Sequence, residues 1–185
     1  MDKKLKWGIL GTAHIATEQV IPAMLNCLHC EVHAIASRNL EKAKDISELY
    51  KIEKSYASYE ALLADKEIAA VYIPLPNHLH VAWAIKALQA NKHVLVEKPV
   101  GLSSKDADKL FKASKKYPHL KVMEAYMFRH HPQWIKTKEL VDNKVIGEIK
   151  TIQSSFSFYE DDPNSIVNKK DFGGGSLRDI GGYPI

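Results

Sequence analysis

A chain of 185 residues holds one domain and a fraction at the usual scale of about 150 residues per domain, and 45% hydrophobic with 26% charged residues exclude a disordered, collagenous or low-complexity protein. The 26 lysines and arginines exceed the 22 aspartates and glutamates to give a net charge of +4, but no dense basic run exists beyond Lys115 and Lys116, so nucleic-acid binding is not expected. The 2 cysteines are too few for a disulfide scaffold and point to a reducing, cytoplasmic compartment.

Lys3, Lys4 and Lys6 ahead of an apolar run imitate a leader peptide, but the run is short and broken by Gly8 and Gly11. Strands are expected at residues 6–11, 31–37, 70–75, 93–97 and 120–124, each too continuously apolar for a solvent-facing antiparallel edge. Helices fill the gaps: Asn39 precedes residues 40–50, Ser58 precedes 59–64, Asn77 precedes 79–90, and Ser103 with Asp106 makes a capping box before 107–117. Such alternation predicts β-α-β units, wound by right-handed crossovers into a doubly wound parallel sheet. The longest uncharged stretch, 68–85, carries Pro74, Pro76, Asn77, His78 and His80, which no lipid-facing helix holds together, so no membrane span is expected.

After Glu124 the pattern changes. A helix over 132–143 leads through Gly147 into a long alternating run at 149–159, the signature of an antiparallel strand. The expected organisation is therefore a nucleotide-binding domain over residues 1–124 and the incomplete start of a second domain over 125–185. A lone alternating strand leaves its ladder groups unpaired, so the chain is expected to be part of a longer polypeptide and prone to aggregate by itself.

The first strand runs into Gly11, Thr12, Ala13, His14, Ile15 and Ala16, where Gly11 takes the first glycine place of a dinucleotide fingerprint and Ala13 and Ala16 the second and third. Any tight strand-to-helix turn is the plain alternative. At the tip of the second strand stand Ser37 and Arg38 with no carboxylate, which favours a 2′-phosphate and hence NADP over NAD. Cys27 and Cys30 lack a second ligand pair, and His78, His80, His130 and His131 match no ligand spacing, so no metal is assigned. Lys98, in Glu97-Lys98-Pro99, ends a buried strand where open α/β sheets place their ligands, and partial desolvation suits it to exchange protons with a substrate hydroxyl. Ser176 and Asp179 can form a capping box. Asp179 and Tyr183, four apart, can equally share a helical face for proton transfer, beside Gly181 and Gly182.

The segments at 7–16, 97–99, 124–133 and 173–183 together resemble the Gfo/Idh/MocA family (glucose-fructose oxidoreductase, inositol dehydrogenase, rhizopine catabolism), in the branch of dimeric dihydrodiol dehydrogenases and NADP-linked aldose dehydrogenases. The resemblance implies a Rossmann-type nucleotide domain followed by an α+β open-sheet domain that often mediates dimerisation. It implies Lys98 as proton relay, Tyr183 as acid/base and Asp179 as an orienting carboxylate. Pro76, Asn77, His78 and Glu97 would line the nicotinamide side, Ser37 and Arg38 hold the adenosine end, and Arg129 supports the cleft. The implied activity moves hydride between NADP and a carbinol carbon of a sugar, polyol or dihydrodiol, in a homodimer or larger assembly. A nucleotide-using glycoside hydrolase and a nucleotide-sensing regulator are the alternatives.

Overall fold

The computed structural model describes residues 4–184; Lys3 of the leader-like run, and Ile185, lie outside the described residues. Six strands form one parallel sheet: β1 (Leu5–Leu10), β2 (Cys30–Ala36), β3 (Lys54–Tyr56), β4 (Ala70–Ile73), β5 (His93–Val96) and β6 (Val122–Glu124), in the order β3-β2-β1-β4-β5-β6. Between them run α1 (Ile21–Leu25), entered directly from a π-helical turn (Ala16–Val20), α2 (Leu40–Tyr50), α3 (Tyr59–Ala64), α4 (His80–Gln89) and α5 (Ser104–Ser114). After the sheet come α6 (Pro132–Asp142) and α7 (Ser176–Asp179).

Alternation along the strands sends neighbouring side chains to opposite faces, and both faces are covered. Leu10, Val71 and Ile73 pack with Leu62, Leu88 and Leu110 from α3, α4 and α5. Ile9, Ile35 and Tyr72 pack with Ile21 from α1 and Ala43 from α2. Each large side chain taken fully from water contributes about 1.5–3 kcal/mol. Gly8 lets α3 close on β1, for a Cβ there would lie 2.5 Å from the Leu62 Cδ2.

Three expected caps form as expected. Asn39 accepts from the Glu41 and Lys42 amides, Ser58 from the Ala61 amide and Ser103 from the Asp106 amide. Asn77 does not cap: a short 3-10 turn (Asn77–Leu79) intervenes before α4, and its side-chain amide donates instead to the Gly173 carbonyl at 3.0 Å. The edge strand β3 has no counterpart in the sequence reading, because three half-buried residues give too short a pattern.

The largest departure is at 149–159, which forms no strand. Among the described residues no amide from 149 to 161 donates a hydrogen bond. A strand exists only against a partner edge, and no described strand presents one there. Ile152, Phe158 and Tyr159 accordingly stand exposed. No helix among the described residues is long and apolar enough to cross a membrane.

Candidate active site

The chain reverses its winding direction between β1 and β4, and at such a switch point a crevice opens beyond the carboxyl ends of the strands. Gly11 turns the chain there at φ +126°, a conformation L side chains rarely adopt, and its amide donates to the Ala36 carbonyl at 2.8 Å. A Cβ on Gly11 would also press the Leu75 Cδ2 at 3.2 Å. The amides of Thr12, Ala13, His14 and Ile15 donate to no group among the described residues, leaving four backbone donors at the mouth of the crevice.

At the end of β2 the Ser37 amide donates to the Tyr56 carbonyl at 3.1 Å and the Ser37 hydroxyl oxygen accepts from the Asn39 amide at 3.2 Å. The loop is thereby fixed from both sides while the Arg38 guanidinium stays unengaged by any ion pair among the described residues. Arg38 lines one cavity with Gly11, Thr12, Ala13, Ser37 and Pro76, and Lys42, one turn into α2, lines it too. Lys42 escaped the sequence reading, although its place four residues after Arg38 put both cations at one helix end. A second cavity of about 320 Å³ shares Ala13, Pro74 and Leu75 with the first and continues to Ile15, Asn77, Glu97, Lys98, Asp179 and Tyr183. The free amides, the glycine whose positive φ disfavours a side chain, and the two cations Arg38 and Lys42 in one lining fit a phosphorylated dinucleotide laid along both cavities, with its phosphates on the turn and its 2′-phosphate at Arg38.

The turn after β5 is held at every backbone group that matters. Glu97 Oε2 accepts from the Lys98 amide at 3.3 Å, Glu124 Oε1 accepts from the Val100 amide at 2.7 Å, and the Pro99 carbonyl meets His80 Nδ1 at 2.7 Å. The buried Tyr72 hydroxyl donates to Glu97 Oε1 at 2.6 Å, and burial beside that carboxylate pushes its pKa far above the ordinary phenol value. Glu124 and Tyr72 were unassigned in the sequence, since nothing local links them to residues 97–100.

So held, the Lys98 Nζ donates to Asp179 Oδ1 at 2.7 Å and to the Asp179 carbonyl at 2.6 Å. This pair decides between the readings of Asp179. Gly175, not a serine, precedes α7, so no capping box forms and the carboxylate faces the crevice. Tyr183 lies just past α7 with its ring centroid 5.5 Å from the Lys98 Nζ, walled by Tyr126, Phe128 and Phe156 at centroid distances of 5.5, 5.6 and 5.4 Å. Burial, then the Glu97 and Asp179 charges, raise the Tyr183 phenol pKa.

Of the expected cofactor contacts, Pro76 sits on the Arg38 side of the crevice rather than beside Lys98. His14 and Arg129 are exposed and outside both cavities, and His78 stacks on Phe172 at 5.4 Å instead of lining them. Cys27 and Cys30 are free thiols at the opposite end of the sheet. At that end Glu31, His33 and Glu53, and His33, Asp65 and Glu67, converge, with Lys6 and Lys54 ion-paired to the same carboxylates.

The description "Oxidoreductase family, NAD-binding Rossmann fold" (Gfo/Idh/MocA) matches residues 5–126, and the C-terminal domain of the same family matches residues 134–185. An uncharacterised oxidoreductase of Rhizobium meliloti is 49% identical over 98% of this chain and 54% of its own length. An NADP-linked D-xylose 1-dehydrogenase of Haloferax volcanii is 40% identical over 98% and 55%. Among solved structures, a 3-ketoreductase from Actinomadura kijaniata in complex with NADP and TDP-benzene superposes with a TM-score of 0.91 at 40% identity, covering 98% of this chain and 55% of that one. The chain spans about half the length of the curated relatives it matches.

Proposed function

This chain belongs to the Gfo/Idh/MocA oxidoreductase family, and from that premise we propose that its crevice binds NADP(H) and serves hydride transfer to or from a carbinol carbon of a sugar, polyol or dihydrodiol. The observation that carries the reading is the Lys98–Asp179 ion pair beside Tyr183, at the end of the crevice away from Arg38. NADP, when bound, supplies the hydride acceptor or donor; the chain supplies position and a proton.

Arg38, with Lys42 behind it, takes the 2′-phosphate and so fixes which end of the dinucleotide lies under Ala13 and Ile15. Tyr183 stays protonated through neutral pH because its pKa is raised, so its hydroxyl gives its proton to the oxygen of a ketone as that carbon is reduced, and takes one back in the oxidative direction. Asp179 holds the Lys98 ammonium where a substrate hydroxyl would meet it, and the rings of Tyr126, Phe128 and Phe156 pack around the half-buried phenol ring. A nucleotide-sensing regulator has no use for this half-buried pair. The names of the relatives, a 3-ketoreductase and a xylose dehydrogenase, support a sugar-like substrate.

The test begins with NADPH and NADH titrated into the chain with nicotinamide fluorescence as the signal. Tighter NADPH binding is expected; no binding of either overturns the reading. In a polypeptide of the relatives' length carrying these residues, Lys98→Met and Tyr183→Phe are expected to lower kcat by about 10²–10⁴-fold while sparing NADPH affinity. Near-normal turnover in either removes that residue from the relay.

A further inference from the structure

His80 opens α4 and is fully buried, and the proton relay gives it no part. Its Nε2 lies 2.6 Å from the Leu75 carbonyl oxygen and its Nδ1 lies 2.7 Å from the Pro99 carbonyl oxygen. A carbonyl can only accept, and a neutral imidazole carries one N–H, so a neutral ring could hold one of these oxygens and would turn a lone pair on the other. We propose that His80 is a positioning residue that, as an imidazolium donating from both ring nitrogens, ties the loop after β4 to the Lys98 turn after β5.

The two carbonyls belong to the two walls of the crevice. Leu75 lines both cavities, and Pro99 follows Lys98 directly. The Lys98 and Val100 amides are anchored on Glu97 and Glu124, but both anchors stand on the β5–β6 side of the sheet. His80 alone among these ties spans from that turn to the loop after β4 that faces Gly11. The charged groups acting on the ring are Glu97, at the end of β5, and Glu124, at the end of β6. Burial pulls the pKa of His80 below the ordinary histidine value, while the Pro99 and Leu75 carbonyls and then these two carboxylates act in the opposite sense. The tie is whole while the ring is protonated and loses one of its two bonds as pH rises through its pKa. Its consequence for the cofactor rests on the dinucleotide reading of the crevice; its existence does not.

The experiment is a two-bond ¹H–¹⁵N correlation spectrum of the histidine rings in the ¹⁵N-labelled full chain, from about pH 5 to pH 9, a range that brackets the ordinary histidine pKa. His80→Asn assigns the ring signal. Both His80 nitrogens are expected in the protonated range at the acidic end, with the backbone amides of Lys98 and Val100 shifting in step when the ring deprotonates. NADPH affinity should fall about 2- to 10-fold through the same transition, the loss of one hydrogen bond, and His80→Asn should be weaker and flat with pH. A single neutral tautomer throughout overturns the proposal, as does a ring that titrates while Lys98 and Val100 stay still. Should His80→Asn fail to fold, comparison with the histidine signals removed by His78→Asn and His93→Asn leaves the wild-type ring spectrum decisive. Failure of NADPH to bind at any pH overturns the dinucleotide reading instead, and leaves the ring spectrum to judge the tie.

Discussion

The proposed cofactor choice rests on Arg38, the one cation of its loop, which the contacts of Ser37 and Asn39 hold in place. The Asn39 side-chain oxygen caps α2 and the Ser37 hydroxyl oxygen accepts from the Asn39 amide, so although both residues line the cavity the guanidinium is the one charged group the loop brings to it, with Lys42 of α2 as a second and more flexible cation. A planar fork can grip a phosphate by two bonds, whereas an ammonium acts as a point charge. Arg38→Ala is therefore expected to weaken NADP binding by about 1.5–3 kcal/mol, as for hydrogen bonds to charged groups, with NAD almost unchanged. Lys42→Ala should cost about 0.3–1 kcal/mol, in the range of exposed pairs. Calorimetric titration with both nucleotides checks this, and equal losses for NADP and NAD would remove the 2′-phosphate from Arg38.

At the scale of elements, the same loop depends on a cap. Asn39→Ala frees the Glu41 and Lys42 amides at the start of α2 and is expected to cost about 1 kcal/mol of stability, seen as a lowered denaturation midpoint with unchanged slope. NADP affinity should fall with it, since Ser37 and Arg38 lose their stop. Caps of this kind were legible because the signal is local: a short polar residue ahead of an apolar period. The parallel strands were legible for a similar reason, since strands buried on both faces read as continuous apolar runs. What was not legible depends on contacts far along the chain. Asn77 has the composition of a cap, yet Gly173, brought near only by the fold, takes its amide. Ser176 and Asp179 have the spacing of a capping box, but Lys98 lies 81 residues away and wins the carboxylate. Alternation over 149–159 is a real property of those residues, but it states only which faces would be apolar, and pairing requires an edge that no described strand offers. The proposed site residues at 11, 37, 38 and 97–98 were legible as positions because strand ends in an open sheet are read from the strands themselves. Tyr72 and Lys42 support them from positions where no motif stands, and Glu124 from the start of the 124–133 segment, where nothing local shows its bond to Val100.

Over the whole molecule, charge gathers at the end of the sheet opposite the crevice. Burial opposes ionisation of Asp65, but the Glu67 amide, the Tyr56 hydroxyl and the Lys54 ammonium hold its pKa down to about 2. Glu67, bonded to Lys54 and Lys6, is likewise lowered to about 2. A carboxylate whose folded pKa lies below its unfolded one stabilises the fold above the unfolded value, and the gain is lost as pH falls toward the folded value. Stability should thus decline between about pH 4 and pH 2, and Tyr56→Phe should lose about 0.5–1.5 kcal/mol at neutral pH and less at pH 2, where Asp65 is partly protonated. A loss that does not shrink with acid would detach Asp65 from this role. The buried apolar side chains tell where the chain can be cut. Among the described residues all of them lie between Ile9 and Leu120, with Val122 of β6 packed partly buried against them, so the six-stranded sheet takes no fully buried side chain from residues beyond β6. What joins the later residues to it is local to the crevice: the polar contacts of Lys98 with Asp179 and Asn77 with Gly173, and aromatic contacts such as His78 on Phe172. Backbone without hydrogen bonds exchanges and is cleaved first, and the Lys150 side chain is 78% exposed beside the unpaired stretch. Brief trypsin treatment is therefore expected to cut after Lys150 and to leave an N-terminal piece that melts cooperatively and still prefers NADPH to NADH. Amides at 149–161 should exchange with deuterium orders of magnitude faster than those of β1, β4 and β5. Protection there equal to that of the central strands would mean that the segment pairs in solution, as two copies of the chain joined edge to edge would require.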